Sequence, residues 1–525
     1  MVLKRLIYKT GPLHPQLYAY REGVGTTECI TDVLNCINNG KATAVFIDFE
    51  KAFELASAAA MLYSLVQKNV KGHLLAWTKN YSTNREARVK FQGHISEYKE
   101  MQNGTPQGGI LSPFLFNILM ENFANIQFPM GVDIFIYADD VVVISRGCNR
   151  VANMQRALKL IDNKAMELGL KINGNKTKAM SIKSTNPIRQ LMIGQHPIEW
   201  VETYKYLGVY IDKQLTYNNQ VTYLRERAKA RLAPMRYMTS LKEGAQFDIQ
   251  RLFYVATTRS IIDYSAPILA QLSDQQFARL EVLQNNALRL MLGAPMWTRL
   301  CNLQNEGNLP PLQTRIEIRN IHIATKAIIS DRPSITKTKI IDDLNKHPIA
   351  RRTNTFTASI GNIIRKHHML DTLAKLKEDA IDNEYHPAPW QLQIAKFNHT
   401  VLPSSKQSCN IEEMRTAAFK AISDVETEES YILYTDGTVD PETETSGAAV
   451  TLENFSACWR TSNKASTKQT KLVAIKQALT YTKDNENGPV VIHCDSKSAI
   501  QALQQTKIKE NKNLITSIQV LVQQH

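Results

Sequence analysis

The segment DIFIYADDVVVIS, residues 133–145, constrains the fold of this chain more than any other. On either side of Ala138-Asp139-Asp140 stands a run rich in Ile and Val. Such β-branched residues fit a pleated, half-buried strand. The two runs predict two strands joined by a tight turn, with adjacent carboxylates at its tip. Neighbouring carboxylates repel each other, and a divalent cation relieves the repulsion. A solvated turn also accepts aspartate, so the segment alone leaves the role of its acids open.

Two further elements bear on that role. In AVFIDFEKAFE (44–54), Ala44 to Ile47 reads as a buried strand that ends at Asp48, with a helix opening near Lys51. A carboxylate there either caps the helix or points into a site. In NGTPQGGILSPFLFNILM (103–120), Gly104, Gly108 and Gly109 permit close backbone approach and Pro106 stiffens the loop. A helix opens near Ser112-Pro113, with Pro in its first turn. A glycine loop before a helix suits contact with a nucleotide.

Together these elements resemble the palm of reverse transcriptases, specifically the non-LTR (LINE-like, jockey/R1-type) retrotransposon enzymes. The motifs run in family order over roughly residues 15–215. They are Asp48 with Ala52-Phe53, then Gly104-Thr105-Pro106-Gln107-Gly108 with Leu111-Ser112-Pro113, then Tyr137-Ala138-Asp139-Asp140. Gly169-Leu170 with Asn173, Lys176 and Thr177 follows, and then Tyr206-Leu207-Gly208. Tyr264-Ser265-Ala266-Pro267 and Gly293-Ala294-Pro295 with Trp297-Thr298-Arg299 resemble the thumb region of the same elements.

The resemblance implies RNA-directed DNA polymerase activity. A primer 3′-hydroxyl attacks an α-phosphorus with the help of two Mg²⁺ (or Mn²⁺) ions about 3.5–4 Å apart. Asp48 and Asp139 would hold the metal, with Asp140 in support. Phe53 would lie under the sugar of the incoming nucleotide and exclude a 2′-hydroxyl. Gln107 and Gly108 would follow the nucleotide and template, and Lys176 would protonate the pyrophosphate leaving group. Tyr206, Leu207 and Gly208 would form the primer grip. The implied partners are an RNA template, a DNA primer, the RNA–DNA hybrid and dNTPs. The family usually ends its first motif in Asp, where this chain has Glu54. Met1 falls where the resemblance is already inside the fingers, so the chain is expected to be a fragment of a longer polyprotein whose upstream fingers motifs and endonuclease lie elsewhere.

Charge agrees with a polyanionic partner. Lys plus Arg number 63 against 49 acids, a formal net charge of +14, which suits nucleic acid better than a neutral ligand. Between residues 220 and 260 eight basic side chains face three acids. Arg225, Arg227 and Arg231 are expected on a thumb helix along the duplex backbone. The seven cysteines are scattered without a C-x-x-C pair, which excludes a zinc ribbon and a disulfide framework. No apolar run reaches the length of a membrane span, and the N-terminus lacks the pattern of a signal peptide. An intracellular protein, nuclear or cytoplasmic and away from the membrane, is the expectation. Oligomeric state is not encoded in these patterns.

From Tyr431 the pattern changes to three strand-like runs, a helix, a strand and a helix. Leu472, Ile475 and Leu479 mark the helix's apolar face. Asp436 closes the first strand and Asp495 the fourth. This stretch resembles ribonuclease H, which cuts the RNA of a hybrid with metal held by four acids, two of them matching Asp436 and Asp495. Lys471 stands where the family has a helical Glu, and the segment bearing the fourth acid lies past His525, so a degenerate, cleavage-defective module is expected.

The expected class is therefore α+β, with residues 1–215 as partial fingers and palm of a right-hand polymerase and 216–330 as a helical thumb. Residues 331–428 are expected to be a basic connector and linker, and 429–525 an α/β ribonuclease H-like domain. Two other readings compete. A non-catalytic relic would keep the basic thumb and bind nucleic acid only. An RNA-dependent RNA polymerase would share the Asp-Asp hairpin, but Phe53 and the ribonuclease H-like stretch argue against it.

Overall fold

The computed structural model describes residues 2–524 apart from 39, 102, 107, 186, 188, 240–243, 331, 346–354, 367–368, 370–394, 399–409, 426, 428–429, 441, 444, 453–454, 462–464, 486–487 and 505–510. Contacts divide the chain into two compact units, residues 6–380 and 381–525, the first few residues being shared between them. Among the described residues no helix is long and apolar enough to cross a membrane.

The first unit is built on a five-stranded sheet. Its strands are β1 (Ala42–Ile47), β2 (Val132–Tyr137), β3 (Asp140–Arg146), β4 (Lys178–Ile182) and β5 (Glu199–Trp200). They lie in the order β5-β4-β1-β3-β2, and only β5 on β4 is parallel. β1 is central and buried along its whole length, which is why its sequence is a continuous apolar run rather than an alternation. Helices α2 (Ser112–Ala124) and α3 (Arg150–Glu167) cover one face. The other face packs on α1 (Thr26–Ile37) and on a hairpin of β6 (Thr203–Tyr206) and β7 (Val209–Asp212). Phe46, Phe135, Val142 and Met180 meet Ile30, Leu34, Tyr206 and Ile211 there. Phe46 stacks on Tyr204 at 4.1 Å, a contact worth about 1 kcal/mol beyond its burial.

Helices α4 (Asn218–Leu232), α5 (Asp274–Leu292) and α6 (Leu312–Ile329) form a second core around Val221, Leu224, Leu280 and Ile316. Ser273 and Gln276 close a capping box on α5, and Gly293 ends that helix at φ +60°. The basic stretch after 330, expected to be a connector, begins instead as two packed helices, α7 (Ile335–Asn345) and α8 (Phe356–Lys366). The physical reason is a one-sided apolar spacing hidden among polar residues. Phe356, Ile360 and Ile364 fall at i, i+4 and i+8 and bury against Ile328 and Ile340. Thr336 ties α7 to α1 by donating from its N–H and hydroxyl to Asp32, at 2.8 and 2.6 Å. Most of the expected linker, residues 384–410, lies outside the described residues.

The second unit has a sheet of β8 (Tyr431–Asp440), β9 (Thr445–Leu452), β10 (Phe455–Arg460) and β11 (Val490–Cys494), in the order β10-β9-β8-β11. β8 is antiparallel to β9 and parallel to β11. Helix α9 (Thr467–Asn485) crosses β8 and β9. Its Leu472, Ile475 and Leu479 pack against Ala499 and Leu503 of α10 (Lys497–Gln504) and Ile515 and Ile518 of α11 (Lys512–Gln524).

Candidate active site

The turn between β2 and β3 has two residues, Ala138 and Asp139, flanked by the pair Tyr137 and Asp140. Ala138 sits at φ +55°, a left-handed conformation that costs an alanine roughly 1–2 kcal/mol and persists where the surroundings enforce it. Ile47 pairs with Val141. Asp48, the next residue, therefore leaves β1 beside Asp140, and three carboxylates share one edge of the sheet. Their electrostatics record the crowding. Burial raises Asp48, with Asp139 and Glu50 adding to the rise and Lys176 opposing it. Burial, then Asp139 and Asp48, push Asp140 up to about 6. Among the described residues no three His, Cys, Asp or Glu side chains close on one point as a ready-made cage. An open pair of carboxylates matches how Mg²⁺ is held together with substrate phosphates.

A loop from Lys171 to Thr177 fixes Asp48. The Asn173 N–H donates to the Asp48 carbonyl at 2.8 Å. The Asp48 N–H donates to the Thr177 hydroxyl at 3.3 Å. Two residues on, the Glu50 N–H donates to the Lys171 carbonyl at 2.8 Å. Asn173 also accepts from the Lys176 N–H at 3.2 Å. This brings Lys176, exposed to solvent, within electrostatic reach of Asp48. Asp48 is thus no helix cap. The short helix Ala52–Leu55 starts from Lys51, with no side-chain cap.

That short helix carries Phe53, whose ring stacks on buried Phe116 at 4.0 Å and meets Tyr20 edge-on at 6.4 Å. The glycine loop clamps it from behind. The Gly104 N–H donates to Ala56 at 2.8 Å, and the Thr105 N–H to Phe53 at 3.0 Å. Gly104 is required here: at φ +83° a Cβ would lie 2.5 Å from the Glu54 carbonyl oxygen. Gly108 has φ +82° and open space around it, and Gln107 lies outside the described residues.

Leu207 and Gly208 form the two-residue turn of the β6–β7 hairpin, at φ +43° and +82°. The Tyr206 hydroxyl lies 3.3 Å from the Cys29 sulfur. The Tyr264 hydroxyl donates to the Leu207 carbonyl at 2.7 Å, which pins the turn to the helical region. Tyr204, in the same hairpin, is raised by burial, then Asp140 and Asp48. The three thumb arginines on α4 differ. Arg227 is exposed and lies over the Tyr223 ring at 5.7 Å, with Lys205 over the same ring at 4.8 Å. Arg225 is half-buried. Arg231 turns inward and donates to the Thr257 carbonyl. The three were expected together along a duplex backbone, but the spacing i, i+2, i+6 does not hold one helix face, and they form no single basic stripe.

In the second unit Asp436 does not close its strand as expected: β8 runs on to Asp440 along β9, and Asp436 lies mid-strand, one residue past its last pair with β11, beside Asp495 at the end of β11, with Lys471 between the two. Its ammonium is 3.1 Å from Asp436 and also bridges Asp495. Gly437 permits the approach, since a Cβ there would meet the Lys471 backbone nitrogen at 2.6 Å. The Lys471 hydrogen bond holds Asp436 below the usual carboxylate range, the Gly437 N–H adding to the effect. An ammonium on both carboxylates does not fit a divalent cation.

Two contributors escaped the sequence: Tyr204 acts through stacking on Phe46 and Tyr20 through contact with Phe53, while Thr177, named there only as part of a motif, acts through its hydroxyl on the Asp48 backbone. Tyrosines and threonines are common in such strands and loops, and only tertiary placement separates these from the rest.

Comparison with known proteins agrees with this geometry. Residues 1–211 match the family described as Reverse transcriptase (RNA-dependent DNA polymerase). The "Probable RNA-directed DNA polymerase from transposon BS" of Drosophila melanogaster is 25% identical over 315 residues, which cover 57% of this chain and 35% of that protein. The "RNA-directed DNA polymerase from mobile element jockey" of the same species is 22% identical over 377 residues, 67% of this chain and 39% of that one. The chain thus spans between a third and two fifths of the length of these curated relatives. Among solved structures, apo telomerase from Candida tropicalis aligns with 68% of this chain and 60% of its own, at 10% identity and a TM-score of 0.32.

Proposed function

We propose that the first unit is an RNA-directed DNA polymerase of a non-LTR retrotransposon, copying an RNA template from a DNA primer with dNTPs. The observation that carries this is the meeting of Asp48, Asp139 and Asp140 at one sheet edge with Lys176 beside them, inside the stretch that matches the reverse transcriptase family. The crowded acids suit a divalent cation. Mg²⁺ or Mn²⁺ held by Asp48 and Asp139 would supply charge neutralisation and activation of the primer hydroxyl. The chain's own residues do the remaining work. Phe53, braced on Phe116, offers a flat ring to the sugar, where a 2′-hydroxyl would collide. Lys176 is placed to give a proton to the departing pyrophosphate. Leu207 and Gly208 offer a rigid turn to the primer strand, anchored in the core by buried Tyr206. Arg227, the exposed arginine of α4, is the one placed to meet the duplex backbone, while Arg231 holds the helix to its neighbour.

The second unit reads as a ribonuclease H-like module that does not cut RNA. Its strand order, with β8 antiparallel to β9 and parallel to β11, and the two aspartates brought together where the β8–β11 pairing ends support that reading. Lys471 on both aspartates removes the charge a nuclease would need.

Primer extension on an RNA template with dNTPs and Mg²⁺ tests the polymerase. Asp139→Asn should lower extension at least a hundredfold, about 3 kcal/mol of lost transition-state stabilisation, with an unchanged melting temperature. Equal extension by the variant would remove the assignment.

A further inference from the structure

Tyr20 is exposed, unusually oriented and pinned on both sides. Its φ of +55° is left-handed, a conformation that tyrosine rarely adopts. Its neighbours hold it there. Leu17 bridges to Ile136 of β2 in parallel, and the Tyr18 N–H donates to the Ile136 carbonyl at 2.9 Å. The Tyr18 hydroxyl donates to buried Asp32 at 2.7 Å. The Ala19 carbonyl accepts from the Asn117 amide at 2.8 Å, a buried bond. Arg21 donates to the carbonyls of His14 and Leu17 at 2.9 and 2.8 Å. The segment therefore runs beside the end of β2 towards Asp139 and releases one side chain, still 58% exposed. An enforced backbone outlier that presents a solvent-facing ring points to function rather than packing.

The ring has a specific neighbour. It stands edge-on to Phe53 at 6.4 Å and 86°, while Phe53's face lies on Phe116 at 4.0 Å and 22°. Phe116 is fully buried and cannot yield. Tyr20 thus gives Phe53 a second aromatic neighbour, at right angles to its stack on Phe116. The Tyr20 phenol is raised by burial and then by the Asp139 charge, which agrees with a ring that spans the gap between Phe53 and the catalytic turn.

We propose that Tyr20 is a positioning residue for sugar discrimination: held in its left-handed conformation, it fixes the Phe53 ring edge-on and so sets how strictly ribonucleoside triphosphates are excluded. This rests on the polymerase reading above. Nothing in the proposal asks the phenol to titrate or to touch a metal. The ring's edge does the work, so phenylalanine should serve nearly as well.

The test is the ratio of kcat/KM for rNTP against dNTP in primer extension by the full chain. Tyr20→Asn removes the ring while keeping a residue that tolerates the left-handed backbone. It should raise the ratio about fivefold to tenfold, the range an edge-to-face aromatic contact commands. Tyr20→Phe should hold the ratio near that of the parent. Adding Tyr20→Asn to Phe53→Val should change the ratio no further, because Tyr20 acts through the ring that is gone. An equal loss of rNTP and dNTP incorporation in Tyr20→Asn would mark a merely structural residue and overturn the inference. So would an additive effect on top of Phe53→Val. A parent chain that extends no primer would overturn the polymerase reading itself, and this inference with it. A parent that extends normally beside a Tyr20→Asn variant of unchanged ratio would overturn the inference alone.

Discussion

Asp140 shows what the clustering of acids costs the folded chain. Its pKa is pushed up to about 6 by burial and by Asp139 and Asp48, above that of an unfolded aspartate near 4. The folded chain therefore holds a proton that the unfolded chain has released between about pH 4 and pH 6. Stability must fall as pH rises through that window and stay lower above it. Asp140→Asn should accordingly stabilise the metal-free protein at pH 7.5 by about 1 kcal/mol, a figure reduced for the solvent that reaches the carboxylate. At pH 4 the gain should vanish. Urea unfolding of parent and variant at the two pH values, in EDTA, checks this, and equal midpoints at pH 7.5 would contradict it. The acids themselves were legible in the sequence, because a carboxylate pair between two apolar runs has few structural uses. Tyr20 was not, since it works through a left-handed backbone, and the motif that holds Thr177 gave no sign of its bond to residue 48.

The glycine loop and the short helix Ala52–Leu55 behave as one element, joined by two backbone hydrogen bonds and no side chain. Gly104 is the point of contact. A Cβ there would lie 2.5 Å from the Glu54 oxygen and 2.8 Å from the Phe53 oxygen, and neither backbone atom can rotate away. The left-handed φ adds its own strain. Gly104→Ala should therefore cost about 2 kcal/mol of stability and displace Phe53. The KM for dNTP should rise more than kcat falls, because the ring binds the sugar and does no chemistry. Steady-state primer extension alongside urea unfolding separates the two effects. An alanine variant with the parent's KM would show that the loop does not hold the ring. The sequence announced this loop by its glycines, but α7 and α8 were hidden. Their apolar residues sit one per turn among Lys, Thr and Asn, a pattern that looks solvated until its partner on α1 and α6 is known.

Across the whole chain, two sets of acids on or beside sheet strands have opposite fates. In the first unit three carboxylates crowd, with Lys176 opposing the rise at Asp48, and Asp140 is left with a raised pKa. In the second, Lys471 neutralises both aspartates from within, its own side chain only 10% exposed. Both fates were legible from residue type and spacing, since the helix register that buries Leu472 and Ile475 also fixes where residue 471 points. A consequence for metal dependence follows. At 4 Å and an effective dielectric of 20, one charge pair is worth about 4 kcal/mol. Asp436 and Asp495 are more than half exposed, which brings each pair nearer 1 kcal/mol. The parent's second unit should thus melt at the same temperature in EDTA and in Mg²⁺, and the chain should leave the RNA of an RNA–DNA hybrid intact. Lys471→Glu replaces two attractions with two repulsions among three carboxylates. The variant's second unit should lose about 2 kcal/mol or more in EDTA and regain most of it in Mg²⁺, as the cation takes the ammonium's place. Differential scanning calorimetry of the full chain, with and without Mg²⁺, reads both effects. A parent that is itself stabilised by Mg²⁺ in this transition, or that cuts hybrid in its presence, would show that Lys471 leaves the acids free.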